Sequence, residues 1–235
     1  MLANSLLFLV SATLALASPC VRTSPTLPVN GGDKELSSPP TGVTLKRIAL
    51  GFGIQNYTCA SAGSTAAATG ALAMLYDITS LYPGTGRKSL DTDAWAGLSA
   101  TALNGHAVPL NLLTDGPGAD AANPFPANAA LKLTGVPDLP FLGHHYFNAA
   151  GIPTFALSSG TLVGKKLDAV NAPASADPGP DGTGAVAWLY LGDAGGSTGG
   201  LQYVYRVLTA GGNAHGCTAA GKDSTSYATT YWFFG

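Results

Sequence analysis

Two adjacent histidines are the side chains of this chain best suited to chemistry near neutral pH. His144 and His145 lie in an apolar run, 141–147, that is typical of a strand. Since neighbouring side chains of a strand point to opposite faces, the two imidazoles cannot bind one metal ion together. His145 shares a face with Phe141 and Phe147, so we expect it to point inward. Two interpretations of His145 stay open: a histidine of the core, and a polar group in a pocket.

Arg206 is the candidate partner of His145 in an enzyme hypothesis. It lies on a second predicted strand, 201–209, where it would stabilise negative charge while His145 acts as acid or base. The hypothesis requires both side chains to reach one concave, partly solvated pocket. His144 and Tyr205 are candidate ligand-binding residues beside that pocket.

Aromatic side chains offer a different chemistry, because their faces stack on sugar rings and apolar ligands. Most of them follow strand periodicity, which is typical of a core. Trp95 lies in a loop-like run, 91–97, and is expected to be the most exposed candidate for ligand binding.

The familiar catalytic motifs do not occur in the sequence. Glu35 is the single glutamate, and most aspartates lie in Gly/Pro-rich runs where they favour turns. There is no Gly-x-Ser-x-Gly elbow and no His-Glu-x-x-His pair. We therefore predict no metal ion and no cofactor, and no hydrolase is indicated by motif.

The composition favours strands. Charged residues make up 10% of the 235 residues, hydrophobic residues make up 46%, and there are 31 glycines and 16 prolines. A net charge of −2 without a basic stripe indicates that nucleic acid is not a partner. No later apolar run is long enough to span a membrane. The oligomeric state is not predicted.

The first 17 residues indicate export. They form a short apolar run that ends in Ala15-Leu16-Ala17, which predicts a signal peptide cleaved before Ser18 and a secreted, extracellular or cell-wall-associated protein. Residues 18–42 form a Pro/Gly-rich leader, and residues 43–235 form a single β domain.

An oxidising compartment allows one disulfide among the three cysteines. We predict Cys59–Cys217, which would close a loop of roughly 160 residues, although pairing of Cys20 with either one stays open. Asn56-Tyr57-Thr58 is a usable glycosylation sequon, so Asn56 is a candidate acceptor.

The predicted fold class is all-β, a single-domain barrel or sandwich of about 8 to 12 strands with long Gly/Pro-rich loops. In the run 48–55, bulky residues alternate with small ones, so something should pack closely on the bare face. The loops 115–128 and 171–184 are expected to border a binding site.

Several motifs occur together in order and support a resemblance. They are Gly51 to Cys59, Gly143-His144-His145-Tyr146-Phe147, Trp188-Leu189, and Tyr203 to Gly212 followed by Cys217 and Tyr231-Trp232-Phe233-Phe234. Over about 43–234 the chain resembles DUF3455, a family of secreted fungal proteins with bacterial relatives, which implies a shared fold and no known reaction. Members are often labelled malate dehydrogenase. Here Gly51-x-Gly53 is followed by a sequon and a cysteine, which does not predict a nucleotide-binding turn.

The function expected from these observations is non-catalytic. We expect a fungal protein at the cell wall or a host surface that binds carbohydrate or a small apolar ligand. The alternatives are an extracellular enzyme that uses His145 and Arg206, and an effector or structural protein that acts through protein contacts.

Overall fold

Eight antiparallel strands close into a barrel in the part of the chain that the computed structural model describes, residues 23–106 and 128–235. The strands are β1 Leu45–Cys59, β2 Ala67–Asp77, β3 Phe141–Phe147, β4 Pro153–Leu157, β5 Gly160–Val170, β6 Trp188–Asp193, β7 Tyr203–Gly211 and β8 Gly221–Phe234. Each strand pairs with the next along the chain, and β1 pairs with β8. The predicted all-β fold is confirmed, as a barrel. The predicted signal peptide, Cys20 and residues 115–127 of one predicted loop lie outside the described residues.

The barrel interior is filled by side chains rather than open. Phe155 of β4 meets Tyr231 and Phe233 of β8, with ring centroids 5.0 and 5.6 Å apart, although these strands are not neighbours in the sheet. Contacts between strands on opposite sides of a closed sheet pass through its interior. These aromatic rings therefore form part of an inner core.

The glycines of β1 make room for that core. A Cβ built on Gly51 would lie 2.4 Å from Cε2 of Tyr231, and one on Gly53 would lie 2.0 Å from the Leu72 carbonyl oxygen. No real Cβ tolerates such distances, so only glycine lets the ring and the neighbouring strand come this close. The expected close packing on the bare face is confirmed.

A second core covers the outside of the barrel. The bulky face of β1, with Ile48, Leu50 and Phe52, packs there against two short helices. These are α1 Thr92–Ala96 and α2 Leu98–Gly105. The Asp91 side chain caps α1 by accepting a hydrogen bond from the Ala94 backbone N–H at 2.8 Å. A short 3₁₀ turn, Thr79–Leu81, links β2 to this layer.

The segment 23–43 forms no helix or strand but is attached along the outer core. Leu27 and Leu36 pack against its apolar residues. The Thr23 backbone N–H donates to the Gly84 carbonyl at 3.1 Å, and Lys34 pairs with Asp168. The segment thus forms part of the lining of two surface hollows.

The disulfide Cys59–Cys217 is present, with a Cα–Cα distance of 5.6 Å, which confirms the predicted pairing. It joins the end of β1 to the connection between β7 and β8. We name this end of the barrel the disulfide end.

Candidate functional site

His145 points into the barrel, as expected, and aromatic rings enclose it. Its imidazole stacks on Phe155 at a centroid distance of 4.0 Å, with Phe147 at 5.9 Å and Tyr231 at 5.6 Å. Its Nδ1 atom lies 3.0 Å from the Thr154 carbonyl oxygen, an arrangement in which Nδ1 donates. The side chain is 3% exposed, so it does not lie in the solvated pocket that the enzyme hypothesis requires.

The surroundings of His145 keep it neutral. Burial lowers its pKa to about 4. The hydrogen bond to the Thr154 carbonyl raises the pKa, whereas the positive charge of Arg206 lowers it further. Two of the predicted site residues, His145 and Arg206, are therefore brought to the same interior. Both side chains lie in the packed interior, and His145 is closed off from solvent there.

Arg206 is itself buried, with 9% exposure. Its Nε and Nη2 atoms donate to one acceptor, the Ala187 carbonyl, at 3.1 and 2.8 Å. The guanidinium thus lies at the inner side of β7, near the start of β6.

His144 faces away from the interior, opposite His145, as expected for neighbours on a strand. Its ring lies 5.1 Å from that of Phe141, and partial burial lowers its pKa. The adjacent histidines therefore belong to different environments.

The prediction that Trp95 is exposed in a loop is wrong. Trp95 lies in α1 and is 6% exposed. Its ring makes edge contacts with Tyr82 at 5.2 Å and Trp232 at 6.2 Å. The small polar residues of 91–97 are typical of a loop, but the Asp91 cap starts a helix there. This helix places the indole of Trp95 on the barrel wall.

Tyr205 is also buried and holds the segment 23–43 rather than facing an open site. It is 1% exposed and stacks on Tyr190 at a centroid distance of 4.4 Å. Its hydroxyl donates to the Ser37 carbonyl at 2.9 Å. Burial raises the pKa of Tyr205, with Tyr190 adding to the rise, so the hydroxyl stays protonated as a donor.

Asn56 lies near the disulfide end and is partly buried. The Ser224 hydroxyl donates to its Oδ1 atom at 2.5 Å. Glycosylation of Asn56 stays a prediction.

A hollow of about 610 Å³ lies where the segment 23–43 meets α1 and β7, and we name it the Trp95 hollow. Its lining is mostly apolar: Thr23, Thr26, Leu27, Pro28, Val29, Tyr82, Pro83, Gly84, Thr92, Trp95, Ala96 and Leu208. The Tyr82 hydroxyl is held at 3.3 Å by the Thr26 backbone N–H. Trp95, one of the predicted ligand-binding residues, thus lines this hollow with the small part of its ring that stays exposed.

Leu208, at the back of the Trp95 hollow, has a backbone conformation that L-residues avoid. Its φ of 50° is the one positive value for a non-glycine among residues 23–106 and 128–235. It occurs where the register of β7 against β8 shifts, between Val207 and Ala210. The Thr229 and Thr230 hydroxyls donate to the Val207 carbonyl at 2.8 and 3.1 Å and hold the bulge in place.

Such a conformation costs about 1–2 kcal/mol, and strain of this kind concentrates at functional sites. The Leu208 side chain lines the Trp95 hollow and a second hollow of about 710 Å³. That second hollow includes residues 173–178 of the predicted binding loop 171–184. A leucine within an apolar strand gives no indication in the sequence that its φ is positive. The position of Leu208 between the two hollows therefore could not be predicted.

Another hollow, of about 820 Å³, lies between residues 30–34 and 169–175 and has no aromatic side chain in its lining. Within the described ranges, no three His, Cys, Asp or Glu side chains are placed to hold a metal ion. The helices of the described chain are all too short or too polar to cross a membrane.

Comparison with known proteins identifies a family. The family model described as "Protein of unknown function (DUF3455)" matches residues 39–235, which include every strand of the barrel. No curated protein and no solved structure matches the chain. Because the match covers most of the sequence, the chain belongs to the DUF3455 family.

Proposed function

We propose that this is a secreted, non-catalytic binding protein of the cell wall or a host surface, and that it takes a small apolar ligand in the Trp95 hollow. The observation that carries the proposal is the lining of that hollow. Leu27, Pro28 and Val29 line a space of about 610 Å³ together with Trp95 and Leu208. Pockets for small molecules have this size and this mostly apolar lining.

The exposure of Val29 supports an apolar ligand. Val29 is 78% exposed at the rim, and only one other large hydrophobic side chain of the described residues, Leu167, is comparably exposed. A ligand in the hollow would cover part of this surface and gain the free energy of its removal from water. Thr23, Thr26 and Thr92 add hydroxyl groups to the lining, so one polar group on the ligand can be satisfied.

Carbohydrate is less well supported than an apolar ligand. Sugar binding needs an aromatic face open to solvent. The three tryptophans, Trp95, Trp188 and Trp232, are 6%, 2% and 0% exposed. An apolar molecule that contacts the edge of Trp95 and the aliphatic walls of the hollow fits this arrangement better than a pyranose ring.

Titration with N-phenyl-1-naphthylamine, a neutral apolar fluorescent probe, tests the proposal. We expect saturable enhancement of probe fluorescence with one site per chain, and displacement of the probe by an organic extract of the protein's natural surroundings. A glycan array run in parallel separates the two ligand classes. Glycan binding with no saturable probe binding would contradict the proposal.

A further inference from the structure

The second hollow, of about 710 Å³, is large enough for a ligand of its own. Its lining comes from α1, α2, β6, β7 and residues 173–178, and it consists mostly of alanine, proline and leucine side chains. Ala96 and Leu208 line both this hollow and the Trp95 hollow, so the two are neighbours on the outside of the barrel.

Two buried polar atoms in the lining of the second hollow have no partner. Ser99 of α2 is 3% exposed, and Trp188 at the start of β6 is 2% exposed. Within residues 23–106 and 128–235, neither Ser99 Oγ nor Trp188 Nε1 forms a hydrogen bond. Both residues line the second hollow from its buried side. Buried polar atoms without partners are uncommon in native proteins, and they indicate a group that completes them.

Another tryptophan shows what Trp188 lacks. Trp232 belongs to the same apolar cluster as Trp188, and its Nε1 atom donates to Thr230 Oγ1 at 3.1 Å. The missing acceptor at Trp188 is therefore a feature of the second hollow, not of the outer core as a whole.

The charge around the second hollow disfavours an anion. Asp177 is the single ionisable side chain among the described residues that line it. Its carboxylate accepts hydrogen bonds from Asn104 Nδ2 at 2.9 Å and from the Gly179 backbone N–H at 2.8 Å. The Gly211 backbone N–H donates to the Asp177 carbonyl at 2.9 Å, so the loop is fixed to both α2 and β7. The wall is thus preformed, and an anion would meet a negative charge there.

A water molecule is too small to fill this space. Its share of liquid volume is about 30 Å³, and a buried water needs several polar partners. The lining offers mostly apolar side chains instead. A larger molecule with an apolar frame would cover these walls and complete the two polar atoms.

We propose that the second hollow binds a small uncharged molecule that carries an oxygen acceptor on an apolar frame. The indole N–H of Trp188 can only donate, so it requires an acceptor, and the Ser99 hydroxyl can donate as well. A carbonyl oxygen, with its two lone pairs, has the required chemistry. The frame contacts Leu208 and the small apolar side chains of the walls. This site is separate from the Trp95 hollow and does not depend on a ligand there.

NMR of the indole N–H groups, during titration of the ¹⁵N-labelled protein with cyclohexanone, tests the proposal. We expect a saturable downfield shift of the Trp188 signal, which is identified by its loss in Trp188→Phe. The Trp232 signal should stay in place, because its N–H already donates to Thr230. Methylenecyclohexane, in which a CH₂ group replaces the carbonyl oxygen, should not produce the downfield shift.

Ser99→Ala should weaken the cyclohexanone affinity about three- to tenfold, because one hydrogen bond to the ligand is lost. The unfolding midpoint of the ligand-free variant should not fall, since the hydroxyl has no partner to lose. Thr101→Ala is the matched control, because Thr101 lies exposed on the same helix and outside the lining, so the affinity should be kept. Val29→Ser, which alters the Trp95 hollow, should also keep it, so that failure of one site is distinguishable from failure of the other.

Several results would overturn this site. They are the absence of a saturable shift of the Trp188 signal, an equal shift with methylenecyclohexane, and equal affinities of Ser99→Ala and Thr101→Ala. A saturable response to cyclohexylammonium but not to cyclohexanone would also overturn it, because the ligand would then be a cation held by Asp177. If Trp188→Phe does not fold, triple-resonance NMR assigns the Trp188 signal, and the comparison of Ser99→Ala with Thr101→Ala decides.

Discussion

The imidazole of His145 lies parallel to the ring of Phe155, with 4.0 Å between the centroids and an interplanar angle of 6°. This stack, together with the hydrogen bond from Nδ1 to the Thr154 carbonyl, makes His145 part of the inner core. The pairing joins β3 to β4 at adjacent positions of the sheet. A residue that seemed suited to catalysis thus serves the stability of the barrel, and it should make that stability depend on pH.

The unfolding free energy should fall as the pH is lowered from about 6.5 to about 4. The pKa of His145 is lowered to about 4 in the folded protein, whereas an unfolded histidine has a value near 6.5. In that interval the unfolded chain binds the extra proton, so the stabilisation present above pH 6.5 is lost by about 3 kcal/mol in total. Burial lowers the pKa of His144 as well, which adds to the same slope. Urea unfolding at several pH values measures it.

His145→Phe should flatten this dependence, because it keeps a stacked ring and removes the buried titrating group. Phe155→Leu is the control. It removes the stacking partner, so it should lower stability at every pH while it keeps the slope. Equal slopes in the original protein and His145→Phe would show that His145 does not carry the effect.

Gly51→Ala should destabilise the barrel by about 1–3 kcal/mol, because the new methyl group would lie 2.4 Å from the Tyr231 ring. Gly86→Ala is the matched control, since its Cβ would meet no atom within 4 Å, and it should change stability by less than about 0.5 kcal/mol. Chemical denaturation of both variants measures the difference. Equal stabilities would contradict the close packing of β1 against Tyr231.

Loss of the disulfide should destabilise the folded protein. Cys59 and Cys217 are 158 residues apart, so replacing both by serine should lower the unfolding free energy by about 4–5 kcal/mol in the chain-entropy model. Guanidinium unfolding under oxidising conditions measures this. Cys20→Ser should change little, and a larger effect of Cys20→Ser than of the double variant would contradict the importance of the Cys59–Cys217 bond.

The proposed export predicts two covalent features that can be tested together. The secreted protein should begin at Ser18, and its mass should drop on enzymatic removal of an N-linked glycan from Asn56. Thr58→Ala, which destroys the sequon, should abolish that drop. Edman sequencing that begins at Met1 would contradict the signal peptide, and an unchanged mass would contradict glycosylation.

Much of the barrel was predictable because its strands follow local alternation. The predicted strand 141–147 coincides with β3, and the bare face of 48–55 indicated the close contact now seen at Gly51. The helices α1 and α2 were not predicted, since they are short and contain many small polar residues. Their stability comes from packing on the barrel, which local pattern does not reveal.

The sites were less predictable than the fold, because they depend on contacts between distant segments. Val29, Trp95 and Leu208 line one hollow only because the segment 23–43 attaches to the barrel. Likewise, Ser99 and Trp188 line the second hollow only because α2 packs on the barrel. Contacts between segments that are far apart in the sequence leave no periodic pattern from which they could be predicted.

The central claim is that an apolar ligand occupies the Trp95 hollow, and a matched pair of surface variants tests it most directly. Val29→Ser and Leu167→Ser each remove an exposed apolar side chain, 78% and 47% exposed, so neither should affect folding. Only Val29 lines the hollow. In titrations with N-phenyl-1-naphthylamine, Val29→Ser should weaken binding about fivefold, equivalent to about 1 kcal/mol of lost apolar contact, while Leu167→Ser leaves it unchanged. Equal affinities of the two variants would contradict binding in the Trp95 hollow.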